Sequence, residues 1–229
     1  MQQHKTIEFG SVQYWDEQYK SKPSTTYDWL QSYATLKPFM DKHVDRGHRI
    51  LMVGCGNSLL TADMHVDGYV NIVSTDVSAA CIEQMNELHK DRPELKFEVA
   101  DVTDMSQYES HTFDTIIDKG TLDALCCSDT PREQCYRMVC EMNRLLKPAG
   151  KYLCISFGMP SRRLQFMQYA SVPFKITDEP IMPGETNPHY VYTCEKLCDF
   201  DDGVRRQMLD TMVQADADEN AKYASKKKR

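Results

Sequence analysis

The chain has 229 residues, enough for one α/β domain with extensions. A hydrophobic content of 41% can supply one large core, and no apolar run approaches the length of a membrane span. The net charge of −7 argues against non-specific nucleic-acid binding and suits a basic protein partner or plain solubility. Residues 1–10 are polar and hold no signal-peptide stretch, which predicts a cytoplasmic protein. The nine cysteines form no Cys-x-x-Cys pair, and Cys55, Cys81, Cys140 and Cys154 fall in predicted core elements. Reduced, buried thiols are therefore expected. Neither Cys126-Cys127 nor Cys194/Cys198 has a histidine at ligand spacing, and no metal is expected.

No internal repeat is visible. Residues 1–46 read as an N-terminal arm with a first helix. Residues 49–53 read as strand one, and a helix begins over 58–65. Strand two covers 70–75, and Ser78 can cap a helix with Ile82, Met85 and Leu88 on its apolar face. Strand three covers 95–100 and ends at Asp101; strand four covers 113–117 and ends at Asp118. Thr130-Pro131-Arg132-Glu133 reads as a capping box that opens a helix to about Leu146. Lys147-Pro148-Ala149-Gly150 breaks that helix before strand five at 151–157. Two further strands, 174–181 and 189–194, are joined by residues 182–188 at hairpin length. In the tail, Val204, Met208 and Met212 predict a helix over 203–213, and Lys226-Lys227-Lys228-Arg229 reads as a solvated basic end. The organisation expected is one domain over 1–198, followed by a helix and basic tail over 199–229.

Strands alternating with helices imply a parallel sheet with right-handed crossovers and helices on both faces. Adding the closing antiparallel hairpin gives seven strands, the layout of a Rossmann-like class I methyltransferase. Ligands in such sheets sit at the carboxyl ends of strands. Three successive strands end at an aspartate here: Asp76, Asp101 and Asp118.

Strand one runs into Gly54-Cys55-Gly56-Asn57-Ser58, and Asp76 follows 22 residues after Gly54. A glycine turn lets the backbone approach a ligand, and an acid at the next strand end can hold ribose hydroxyls. The third glycine of the dinucleotide fingerprint is missing, because Leu59 stands there. A pyrophosphate needs that helix N-terminus open. S-adenosylmethionine carries no phosphate and tolerates a less stringent turn. Gly54, Gly56 and Asn57 are therefore candidates for the turn beneath that cofactor. Asp76 is the candidate for its ribose, and Asp101 for its adenine amino group. Val77 and Val102 are placed to sandwich the adenine, although ordinary core packing accounts for them equally well.

Both tryptophans of the chain, Trp15 and Trp29, lie in the N-terminal arm. Trp15 and Tyr19 are four residues apart and share a helix face. They can anchor the arm on the core or cover a cofactor, where a sulfonium would gain cation–π attraction.

Taken together, Tyr14-Trp15-Asp16-Glu17-Gln18-Tyr19, Tyr27-Asp28-Trp29, Val53-Gly54-Cys55-Gly56-Asn57-Ser58 and Asp118-Lys119-Gly120-Thr121-Leu122-Asp123-Ala124-Leu125 resemble the methyltransferase-like 13 group. That group includes lysine methyltransferases of translation elongation factor 1A. The similarity runs from about residue 14 to 157, and more loosely to about 196. The resemblance implies a seven-stranded fold that binds S-adenosylmethionine and its product S-adenosylhomocysteine. It implies cofactor contacts from Trp15, Tyr19, Trp29, Gly54, Asp76, Val77, Asp101, Val102 and Lys119. The implied partner is a protein substrate, with elongation factor 1A first; no membrane or nucleic-acid partner is implied. Residues 157–173 and the tail match nothing in the group.

An acceptor lysine, with an ordinary pKa of about 10.4, must lose its proton before it can attack. Asp118, at the end of strand four, is the expected catalytic residue that orients the amine, and Asp123 is the second candidate. A small-molecule methyltransferase and a non-catalytic binding module on the same scaffold remain alternatives at this stage.

Overall fold

The computed structural model of the protein describes residues 9–22, 25–168, 172–181 and 188–227. Among them, α1 (Val12–Ser21) and α2 (Tyr33–His43) precede the alternating part. There follow β1 (Ile50–Val53), α3 (Leu60–Val66), β2 (Ile72–Asp76), α4 (Ala79–Leu88), β3 (Lys96–Val99) and β4 (Phe113–Lys119). The chain continues through α5 (Thr121–Leu125), α6 (Pro131–Leu145), β5 (Leu146–Ser156), α7 (Pro160–Met167), β6 (Phe174–Ile181), β7 (His189–Lys196) and α8 (Asp202–Lys227).

The strands form one seven-stranded sheet in the order β3-β2-β1-β4-β5-β7-β6. The pairings from β3 through β5 are parallel, and β7 runs antiparallel to both β5 and β6. This is the class I methyltransferase arrangement expected from the alternation. The connection at 182–187 lies outside the described residues, so only its flanking strands can be compared with the expected hairpin.

Strand periodicity explains the two cores. Along β1, Ile50 and Met52 pack with α2, α3 and α4 on one face, while Leu51 and Val53 pack with α6 on the other. Every residue of β1 and β2 is buried, as a central parallel sheet requires. Register then aligns the ligand end of the sheet. Val53 pairs with Thr75 on one side and with Asp118 on the other, so the glycine turn, Asp76 and Asp118 share one edge.

Local expectations needed correcting at four places. Asp118 lies inside β4 rather than after it. Lys147-Pro148-Ala149-Gly150 belongs to β5, where Ala149 adopts a φ of 60° beside a register shift against β4. The Thr130 side chain makes no cap bond to α6. Instead Asp216, from α8, accepts from the Arg132 and Glu133 amides at 3.4 and 2.9 Å. A cap supplied from 84 residues away leaves no local signal. Finally, α8 extends well beyond the expected 203–213. Met208 and Met212 pack against the core while Val204 stays exposed. The side chains of the terminal basic run, 226–229, lie outside the described residues.

Candidate active site

The carboxyl ends of β1, β2 and β4 and the N-terminal arm enclose a cleft of about 830 Å³. Its floor is the glycine turn. Gly54 has a φ of +58°, and an added Cβ there would lie 1.9 Å from Thr121 Oγ1. Gly56 has a φ of +54°, and a Cβ there would lie 2.9 Å from the Tyr19 hydroxyl. Both positions thus need glycine for conformation and for space. Thr121 locks the turn to β4's loop by donating its hydroxyl to Val53 O at 3.0 Å.

Asp76 ends β2 and is 7% exposed. Its Oδ2 accepts the Gly56 amide and its Oδ1 the Ser78 amide, each at 2.9 Å. Each oxygen therefore keeps acceptor capacity, and the residue lines the cleft. Burial pushes its carboxyl above the usual range, against the pull of these amides. Val77, Asp101 and Val102 line the same side. Asp101 Oδ1 is committed to the Thr103 amide and hydroxyl, both at 2.8 Å.

The aromatic arm forms the roof. Trp15 stacks on Tyr19 at 6.0 Å and meets Trp29 edge-on at 5.9 Å. Trp15, Tyr19 and Trp29 all line the cleft. Burial raises the Tyr19 hydroxyl well above its ordinary pKa, so it stays protonated. The arm is pinned by polar groups. Asp16 accepts from the Ser78 hydroxyl at 2.5 Å, tying α1 to the start of α4. Asn57 donates to Thr25 O at 2.5 Å and accepts the Tyr27 amide at 3.2 Å. Its side chain therefore straps the arm, and Asn57 is not among the residues lining the cleft.

Lys119 also holds the arm. Its side chain is 6% exposed, and Nζ donates to Trp29 O at 2.9 Å and Asp28 Oδ1 at 3.2 Å. Asp28 also accepts from the Ser58 hydroxyl. Burial lowers the Lys119 pKa, and the Asp28 carboxylate opposes that shift.

Asp118 departs from its expected role. It is fully buried and does not line the cleft. Oδ1 accepts the Thr121 amide at 2.7 Å, while Oδ2 accepts the Leu122 amide at 3.2 Å and the Tyr152 hydroxyl at 2.9 Å. Burial pushes its carboxyl up to about 6. The expectation that Asp118 orients the acceptor is corrected: the carboxylate caps α5 and supports the loop from below. Asp123 does line the cleft. It accepts from the Ser156 hydroxyl at 2.5 Å, the Phe157 amide at 2.8 Å and Arg163 at 2.6 Å.

Sequence reasoning missed Thr121, Asp28 and Asp16 as parts of the site. The spacing Asp118-x-x-Thr121 before a short helix was a readable cap signal. Asp28 and Asp16 act across long sequence separations and offered none. The rim formed by Cys127 to Thr130 with Gln134 was likewise unassigned.

Residues 44–191 match the family described as Methyltransferase domain. The chain belongs to that family. This methyltransferase domain is 36% identical over 154 residues to the human eEF1A lysine and N-terminal methyltransferase, covering 66% of this chain and 22% of that protein. It is 29% identical over 170 residues to mouse EEF1A lysine methyltransferase 4, covering 70% of this chain and 66% of that protein. The chain spans about a fifth of the length of the longer relatives. A SAM-dependent methyltransferase from Methanosarcina mazei has a TM-score of 0.58 at 15% identity, over 71% of this chain and 98% of that one. A TehB-like SAM-dependent methyltransferase from Corynebacterium glutamicum has a TM-score of 0.55 at 17% identity, over 81% and 97%. At such identities these two establish the fold.

S-adenosylmethionine is the methyl donor that goes with this family. The residues present suit it: a two-glycine cradle that side chains would fill, a buried carboxylate with spare acceptor capacity, and an aromatic roof for a cation. Among the described residues, no group of three or more metal-ligating side chains comes together. No helix among them is long and apolar enough to cross a membrane.

Proposed function

We propose that the chain is a cytoplasmic protein-lysine methyltransferase whose substrate is translation elongation factor 1A, with residues 1–198 forming its single catalytic domain. The observation that carries this reading is the buried Asp76 carboxylate facing the cleft beside the glycine turn, beneath the aromatic arm. The names of the relatives support the substrate.

In this reading Asp76 holds the ribose, while Asp101, Val77 and Val102 flank the adenine. Gly54 and Gly56 give the backbone its close approach, and Trp15, Tyr19 and Trp29 exclude water. When bound, S-adenosylmethionine supplies an electrophilic methyl group. The chain's contribution is alignment and desolvation. The half-exposed rings of Trp29 and Phe157 line the cleft, where an acceptor amine would be stripped of water and its pKa lowered. Asp123 takes the orienting role first expected of Asp118, because it faces the cleft. Its carboxylate is already engaged by Arg163 and Ser156, which favours electrostatic orientation over proton abstraction.

The test is mass spectrometry of elongation factor 1A incubated with the chain and S-adenosylmethionine. Methyl increments on a lysine are expected, and Asp123→Asn should reduce their rate with little change in donor affinity. An unmodified factor together with methylation of a small amine or thiol would replace this reading with a small-molecule methyltransferase. Donor binding with no transfer to either would leave a binding module.

A further inference from the structure

Two thiol pairs lie near the cleft, and they differ in one respect. Cys55 and Cys81 are both deeply buried on the arm side, and the neighbouring thiol and burial push Cys55 far above its ordinary value. Cys126 and Cys135 lie beneath the rim formed by 127–130 and Gln134, with their sulfurs 3.5 Å apart. Cys126 ends α5 and is partly exposed, while Cys135, in α6, is fully buried. Among the described residues, only this second pair has a cation against it: an Arg163 guanidinium nitrogen meets Cys126 Sγ. Arg163 is itself 9% exposed and is fixed by Asp123 at 2.6 Å and the Ser156 hydroxyl at 3.0 Å.

We propose that Cys126 and Cys135 are a peroxide-oxidisable dithiol whose closure to a disulfide reshapes the rim of the cleft. A thiolate is the reactive form, and a fixed guanidinium favours it. The hydrogen bond from Cys135 and the nearby Arg163 together hold the Cys126 thiol below its ordinary value. The next residue, Cys127, is more exposed, yet burial and nearby negative charge push its thiol up. Exposure and activation are thus separated between adjacent cysteines.

The reaction balances with a hydroperoxide as oxidant. The Cys126 thiolate attacks one peroxide oxygen, the O–O bond breaks, and a sulfenic acid forms with release of hydroxide or alkoxide. The Cys135 sulfur then attacks Cys126 sulfur, and the sulfenic hydroxyl leaves with the Cys135 proton as water. A bonded pair needs about 2.05 Å, so the sulfurs must close by about 1.5 Å. The segment that must yield, 127–134, includes Cys127, Ser128, Asp129, Thr130 and Gln134, all of which line the cleft. Closure also removes the thiolate facing Arg163, which is bonded to Asp123. Reduction by a dithiol reverses the step.

The expected loss of donor affinity rests on the function proposed above; the bond itself does not. The 229-residue chain is treated with hydrogen peroxide, its remaining thiols are blocked, and it is digested with trypsin without reduction. Cleavage after Lys119, Arg132 and Arg137 puts Cys126 and Cys135 on separate peptides. A cross-linked pair lighter by two hydrogens is expected. It should persist in Cys127→Ser, vanish in Cys126→Ser, and form at least fivefold more slowly in Arg163→Gln. The closed form should bind S-adenosylhomocysteine at least fivefold more weakly, with recovery in dithiothreitol. A cross-link through Cys127, no cross-link while exposed Cys198 is oxidised, or unchanged affinity after full closure would overturn the proposal. If the reduced chain fails to bind the ligand, the donor reading falls, and the cross-linked peptides alone decide the dithiol.

Discussion

Asp76 and Asp118 lie one register position apart near the ends of strands that both flank β1, and they serve opposite purposes. Both are buried, and burial raises both carboxyls. Asp76 takes one backbone amide on each oxygen and opens onto the cleft. Asp118 takes two amides and a tyrosine hydroxyl and is closed off. A strand-end aspartate meets ligand only where the following loop leaves it acceptor capacity. After β2 the chain turns away through Ser78. After β4 it wraps into α5 directly over the carboxylate.

Removing each acid sharpens this contrast. Asp118→Ala should have the largest effect, and it should be on folding. It leaves the Thr121 and Leu122 amides and the Tyr152 hydroxyl without their acceptor. At about 1–3 kcal/mol per buried unsatisfied group, a loss of about 3 kcal/mol or more is expected in urea denaturation. Near-normal stability would mean that water reaches the site.

The same carboxyl gives a pH signature. Its folded pKa of about 6 lies above the unfolded value of about 3.9. Folding therefore favours the protonated form. The stability this group contributes is full below about pH 4 and is lost as pH rises through about 6. Asp118→Asn should remove that part of the slope when denaturation midpoints are compared from pH 4 to 7. An unchanged slope would assign the titration to another group.

Asp76→Ala should act on binding as well as on stability, because it also leaves the Gly56 and Ser78 amides without their acceptor. Charge-assisted hydrogen bonds of about 1.5–3 kcal/mol each imply a ten- to hundredfold weaker affinity for S-adenosylhomocysteine. Unchanged calorimetric affinity in a folded variant would make Asp76 a purely structural partner of Gly56 and Ser78.

Two smaller effects test the supports of the cleft. Asp216→Ala removes the cap of α6 and should cost about 1–2 kcal/mol, read as a lower melting temperature. No change would return the cap to Thr130. Lys119→Met should free the Tyr27-Asp28-Trp29 strap, shift tryptophan emission and weaken the donor a few fold. Unaltered emission would mean that Ser58 and Asn57 hold the arm without it.

Much of this arrangement was readable in the sequence because it is local. Alternating elements, the two glycines and Asp76 depend on nearest-neighbour conformation and strand order. The aromatic arm was readable through resemblance, since Trp15 and Trp29 stand beside the cleft only by tertiary packing. What escaped was coupling across distance: Asp216 capping α6, Asp16 meeting Ser78, and Lys119 reaching Trp29 O. Asp118 was misassigned because strand order identifies the edge of the sheet, while register decides the face: Asp118 pairs level with Val53 and Thr75, one residue short of Asp76, so the two carboxylates point to opposite faces.

The measurement closest to the central claim is calorimetric titration of the reduced 229-residue chain with S-adenosylhomocysteine and, separately, with NAD. Saturable one-to-one binding of S-adenosylhomocysteine and none of NAD is predicted. Under saturating ligand, at about a hundred times its dissociation constant, stability should rise by about 2.7 kcal/mol. Binding of NAD in place of the adenosyl ligand, or of neither, would contradict the assignment of the cleft to a methyl donor.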